Sequence, residues 1–191
     1  MTTPTPPPTA PAGRLANHDG TARHRFGLRI YFEDTDLSGV VYHANYLRYM
    51  ERARSDMLRL AGIDSRTAFE AGEGAWAVTE LSIKYHAPAK LDDELCVTST
   101  VEAVRGASVT IAQTITRGDT VLTRGTVTAA FVSPAGRARR QPADWIARFQ
   151  AIKDGQHHAI KDGQHHAIKD GQHHAIKDGQ HHAIKDGPFR A

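Results

Sequence analysis

The 191-residue chain has one cysteine, Cys96. A lone thiol excludes an internal disulfide framework and a zinc site built from cysteines. No run of ~18 apolar residues occurs, which leaves no helical membrane span. The N-terminus has no basic start leading into an apolar stretch, so no secretory signal is expected and a cytoplasmic location follows. Also absent are a Gly-x-Ser-x-Gly elbow, a P-loop and a Gly-x-Gly-x-x-Gly turn, which removes serine-hydrolase, nucleotidase and dinucleotide-binding readings. Net charge is only +3 with histidine neutral. Arginines are scattered apart from Arg137, Arg139 and Arg140, with no long block of like charge. A nucleic-acid partner would need a basic stripe with interleaved aromatics, and none is expected.

Two segments are not ordinary globular sequence. Residues 1–20 hold five of the nine prolines and almost no large apolar side chains, a composition that predicts disorder. Residues 151–187, within the tail 151–191, repeat Ala-Ile-Lys-Asp-Gly-Gln-His-His four times and begin a fifth copy. The adjacent histidine pairs invite metal binding. However, a unit of eight advances about 80° past two helical turns, so successive isoleucines spiral around a helix instead of lining one face. One isoleucine and one glycine per unit make neither core nor good helix, and a flexible tail is expected. What remains, residues 21–150, is the size of one domain.

Hydrophobic period divides that domain into elements. Residues 25–32 alternate, with Phe26, Leu28, Ile30 and Phe32 on one side, which predicts a half-buried strand. A loop carrying Asp34, Asp36 and Gly39 follows. A helix is then expected from about Ala44 to Ala61, with an apolar stripe of Leu47, Met50, Ala53, Met57, Leu58 and Ala61, ended by Gly62. Next come Trp76 and Val78, then Leu81, Ile83 and Tyr85 with a phase slip that implies a bulge. Three more strands carry Leu95 to Ala103, Val109 to Ile115 and Val121 to Phe131, joined by turns at Arg105-Gly106 and Gly118-Asp119. A short helix from Pro142 to Phe149 closes the domain. The expected class is α+β, a long helix laid across an antiparallel sheet. One helix covers only part of such a sheet, so dimerisation is expected.

The densest chemistry lies between Tyr31 and Tyr46. Asp34 and Asp36 stand two apart. Leu37 and Val40 beside Asp36 would raise its pKa by burial, while the nearby helix start would lower it. The first N–H groups of that helix have no intrahelical partner, so they suit a developing oxyanion. His43 at the helix start can orient water, donate a hydrogen bond or move a proton. The competing reading is plain turn chemistry, with His43 or Asn45 as an N-cap.

The segments Tyr31 to Arg54 (YFEDTDLSGVVYHANYLRYMERAR), Lys84 to Leu95 (KYHAPAKLDDEL) and Arg105 to Ser108 closely resemble the hotdog-fold acyl-CoA thioesterases of the YbgC type. That Tol-Pal-associated group is related to 4-hydroxybenzoyl-CoA thioesterase. The resemblance covers roughly residues 24–150 and neither tail. It implies an antiparallel sheet wrapped around one long helix, a homodimer or homotetramer with sites at the interface, and hydrolysis of an acyl-CoA thioester to free acid and thiol. Acyl carrier protein could supply the thioester instead of CoA, and envelope proteins of the Tol-Pal system are implied as partners. No metal or redox cofactor is implied; coenzyme A is part of the substrate.

By the same resemblance Asp36 matches the catalytic carboxylate, acting as nucleophile or as general base for water. The N–H of His43 matches the donor that polarises the thioester carbonyl, and its imidazole orients substrate or water. Tyr42, Lys90 and Arg105 are the substrate-binding candidates, the two cations facing the CoA phosphates. Phe32 stands where close relatives can carry a tyrosine, so a hydroxyl partner is absent from the motif here. Asp34 reads as a loop-structuring residue. Glu51 is a competitor, because a sister branch places its carboxylate on the central helix; its alternative is a helix ion pair with Arg48, Arg54 or Ser55. Cys96 has no basic cluster in its sequence neighbourhood and reads as inert. Two other classes remain: a noncatalytic module that binds acyl-CoA, and an assembly factor acting through partners.

Overall fold

A computed structural model of the protein describes residues 13–18 and 21–156. Six antiparallel strands form one sheet in the order β1-β2-β4-β5-β6-β3. They are β1 (Arg14–His18), β2 (Thr21–Arg29), β3 (Ala75–Tyr85), β4 (Glu94–Val104), β5 (Ser108–Arg117) and β6 (Thr120–Val132). The helices are α1 (Asn45–Leu60), α2 (Ser65–Glu70) and α3 (Ala143–Lys153). The expected α+β class and the long helix against an antiparallel sheet are both present.

Alternation works as expected where side chains are apolar. In β4 and β5 every second residue is buried, Leu95, Val97 and Val101 facing Val109, Ile111 and Ile115. Two members of that buried set are polar. Ser99 and Gln113 occupy core positions because Gln113 donates to the Ser99 hydroxyl (3.0 Å) and to the Met50 carbonyl (2.9 Å), while Arg54 donates to Gln113 Oε1 (2.6 Å). The satisfied network sits under α1 between two apolar clusters. One gathers Met57, Phe131, Trp145 and Phe149; the other gathers Tyr46, Tyr49, Met50, Leu95 and Leu122. Gly125 on β6 lets α1 come down onto the sheet, since a Cβ there would sit 2.8 Å from the Ser82 carbonyl and 3.3 Å from Met50 Cε.

Four boundaries differ from the sequence reading. Within the segment expected to be disordered, Arg14–His18 form β1, which pairs with β2 through backbone bonds that composition does not register and packs Leu15 against the core; the expectation for residues 1–12 lies outside the described residues. The strand expected over residues 25–32 is β2, which begins at Thr21 and ends at Arg29, so Ala22 and His24 are buried while Phe32 is 82 % exposed in a 3-10 turn. Tyr46 and Tyr49 carry the buried stripe of α1, and Leu47 and Leu58 lie only half-buried at its margin. Helix α3 runs on to Lys153, past Phe149, and Ile152 of the first repeat unit is 1 % exposed. The bulge expected in β3 falls between Val78 and Glu80. The remainder of the repeat, from His157, and its metal question lie outside the described residues.

Candidate active site

The chain leaves β2 and makes the 3-10 turn Phe32–Asp34. Asp34 organises this turn: its carboxylate accepts the Tyr31 N–H (2.9 Å), and its carbonyl accepts the Tyr42 N–H (3.0 Å) and Asn45 Nδ2 (2.9 Å). A tight loop follows, closed by Asp36 N–H to the Val40 carbonyl (3.1 Å) and Gly39 N–H to the Asp36 carbonyl (3.0 Å). Gly39 adopts φ +74°, a left-handed conformation that other residues enter only with strain. Val41 then donates to the Ala89 carbonyl (2.9 Å), tying the loop to the β3–β4 connection before α1 begins.

Asp36 is exposed, and Leu37 beside it is fully exposed, so the apolar neighbours do not bury the carboxylate. Its Oδ1 accepts the Ser38 hydroxyl and, at 2.8 Å, the Ser38 N–H. These bonds, the hydroxyl first, hold the Asp36 carboxyl below the usual carboxylate range, with the charge of His43 adding to the effect. Asp36 is therefore ionised at neutral pH.

Neither His43 nor Asn45 caps α1. Ala44 is the N-cap and makes no side-chain cap bond, and the Asn45 amide turns back to Asp34. Val41, Tyr42 and Asn45 all donate their N–H groups to carbonyls, but those of His43 and Ala44 have no backbone acceptor among the described residues. Two free donors at the positive end of a helix dipole suit a carbonyl oxygen gaining charge. They adjoin a cleft of about 340 Å³ lined by Val41, His43, Tyr46, Tyr85, His86 and Pro88. A larger cleft of about 720 Å³ flanks the loop on the Asp34 side, among Phe26, Leu28 and Arg52, and Asp36 lies in the wall of neither cleft. The smaller cleft has the relevant chemistry because it touches His43.

The fold brings Asp36, Tyr42, His43 and the Lys90 loop together. The Tyr42 and His43 rings stand 4.4 Å apart, both exposed. Lys90 follows Ala89, which holds Val41. Arg105 is not part of this group. It is exposed in the β4–β5 turn, separated from Lys90 by the length of β4, roughly 30 Å at ~3.3 Å per residue. One protomer therefore cannot place both cations on one phosphate group. Glu51 pairs with Arg54 and accepts from Ser55 (3.4 Å), as its ion-pair reading expects. Cys96 is half-buried and accepts Arg25 Nε at 3.5 Å. Among the described residues no group of three or more His, Cys, Asp or Glu could hold a metal, and no helix is long and apolar enough to cross a membrane. Sequence reasoning missed Ser38, Tyr85 and His86. Ser38 lies inside the motif and could have been found as the donor two residues after Asp36, whereas Tyr85 and His86 reach the site only through the sheet.

Residues 38–123 match the model of the thioesterase superfamily. The acyl-CoA thioesterase YbgC of Haemophilus influenzae is 43% identical over 107 residues, 56% of this chain and 79% of the relative. The acyl-CoA thioester hydrolase YbgC of Escherichia coli O157:H7 is 37% identical over 132 residues, 68% of this chain and 98% of the relative. Among solved structures, a probable thioesterase from Bartonella henselae aligns with a TM-score of 0.60 at 35% identity, covering 63% of this chain and all of the other. The chain belongs to the YbgC-type acyl-CoA thioesterases, within the hotdog-fold thioesterase superfamily.

Proposed function

We propose that the protein hydrolyses acyl-CoA thioesters, with water, to a free acid and the thiol of coenzyme A. The observation that carries this reading is an ionised, exposed carboxylate in the same short loop as two unpaired N–H groups at a helix start. Asp36 either attacks the thioester carbonyl, expelling the thiolate and leaving an anhydride that water opens, or takes a proton from the attacking water. The N–H of His43 receives the carbonyl oxygen as it gains charge, and the His43 imidazole orients substrate or water. Tyr42 and Lys90 flank the bound thioester. Arg105 serves the CoA phosphates from the partner protomer, a reading that its separation from Lys90 within one chain supports.

The same reading includes a homodimer, or a tetramer built from it. Among the described residues β3 lies at one edge of the sheet, pairs only with β6 and exposes Val78, Leu81 and Tyr85. A long edge strand with apolar side chains is a template for pairing with a second copy. A cytoplasmic location, acyl carrier protein as alternative thioester donor and Tol-Pal envelope proteins as partners follow from the family resemblance.

The test is thiol release from short, long and aromatic acyl-CoAs by wild type and Asp36→Asn, which keeps shape and removes charge. Turnover in the wild type that falls at least ~100-fold in the variant, with folding intact, is the expected result. Binding without turnover in the wild type overturns the enzyme reading in favour of a binding module. After hydrolysis in ¹⁸O-water, label in the Asp36 carboxylate establishes the nucleophilic role, since it enters there only when water opens an anhydride at the aspartyl carbon.

A further inference from the structure

Each unpaired N–H at the start of α1 belongs to a peptide plane whose carbonyl is occupied. The His43 N–H shares its plane with the Tyr42 carbonyl, which accepts the Asn45 N–H at 2.9 Å. That bond is local to the helix start. The Ala44 N–H shares its plane with the His43 carbonyl, which accepts the phenol of Tyr85 at 3.0 Å. Tyr85 lies 42 residues away at the end of β3, so this bond exists only because the sheet brings it there.

We propose that Tyr85 is a positioning residue of the thioester site, its phenol locking the His43–Ala44 peptide so that the Ala44 N–H joins that of His43 at the substrate carbonyl; this rests on the thioesterase reading above. Ala44 has helical dihedrals (φ −71°, ψ −19°), so its N–H points out of the helix start with those of the first turn. A hydrogen bond to a peptide carbonyl also polarises that peptide and strengthens its N–H as a donor. The phenol is itself held. Its ring meets Tyr46 edge to face at 5.6 Å, and the Tyr46 hydroxyl accepts the Ala89 N–H at 2.8 Å. Tyr46 is buried, so its position transfers to Tyr85. Partial desolvation also raises the Tyr85 pKa, and the phenol is a protonated donor at neutral pH.

Tyr85→Phe keeps the ring against Tyr46 and removes only the hydroxyl. The expected result is a fall in kcat of about tenfold or more with KM within about threefold. The acid limb of the rate profile, set by Asp36, stays in place, and the backbone amide resonance of Ala44 shifts. A purely structural role would move thermal stability and leave the ratio of kcat to KM unchanged. Turnover within about twofold of wild type, or an unmoved Ala44 amide, overturns the proposal. A wild type that turns over no acyl-CoA overturns both this proposal and the thioesterase reading. That failure is recognisable because it precedes any substitution.

Discussion

Asp36 shows how a single hydroxyl sets the chemistry of a loop. The ionised form is the reactive one in either mechanism, so kcat/KM declines as pH falls through its lowered pKa. Replacing Ser38 by alanine removes the larger of the two bonds that depress that pKa. The acid limb of the kcat/KM profile therefore moves up toward the ordinary aspartate value of about 3.9. The rate near neutral pH changes by less than about threefold, since Asp36 remains ionised there. A limb that stays put on Ser38→Ala would show that another group sets it. A second residue-scale prediction concerns the core. Gln113→Leu strips partners from Arg54, Ser99 and the Met50 carbonyl at once. The expected loss is about 2–3 kcal/mol, read by urea unfolding.

At the scale of elements, the β1–β2 hairpin is clasped to α1 by one carboxylate. Asp56 accepts His24 Nε2 (2.8 Å) and the Gly13 N–H (2.8 Å), and pairs with Arg59. His24 is fully buried and its Nδ1 has no partner among the described residues. Burial lowers its pKa, against the opposing pull of the Asp56 hydrogen bond and charge. A histidine kept neutral in the fold contributes full stability above its unfolded value of about 6.5, and loses it as pH falls from there through the lowered folded value. Wild type is expected to lose more of its urea midpoint between about pH 7.5 and about pH 5.5 than His24→Gln does; equal losses would remove His24 as the cause. Gly13→Ala should free the hairpin, because its Cβ would overlap the His24 and Asp56 side chains. Increased amide exchange confined to β1 and β2 would report it. At the other end, Ile152→Ala in α3 removes a fully buried side chain, with an expected cost of about 2–4 kcal/mol.

For the whole molecule, the edge strand β3 carries the assembly prediction. Val78→Glu places a charge on its exposed apolar side chains. Sedimentation is expected to show wild type as a dimer or larger and the variant as monomer, with turnover lost because Arg105 no longer reaches the partner's site. A fully active monomeric variant would show that each protomer is complete alone. The sequence was legible wherever a local pattern carries the physics. Alternation in β4 and β5 and the bulge in β3 follow from side-chain period, and the contiguous Asp34-to-His43 string spells out its loop. Alternation puts Ser99 and Gln113 in phase with the core face but could not show how they are satisfied there, because partners come from α1. Composition likewise marked residues 1–20 and the repeat as outside the domain, yet β1 and Ile152 are inside it. A strand at a sheet edge needs backbone partners more than apolar content, and an isoleucine is buried when a helix happens to present it.

The sequence alone determined the family, the α+β order and the motif holding Asp36 and His43, since each is written in contiguous residues or in a period of two. Tertiary structure alone decided that Tyr85 meets the His43 carbonyl, that Ala89 beside Lys90 anchors the loop while Arg105 lies at the far end of β4, and that Asp36 is exposed. These depend on where strands distant in sequence end, and no local pattern of side chains encodes that distance.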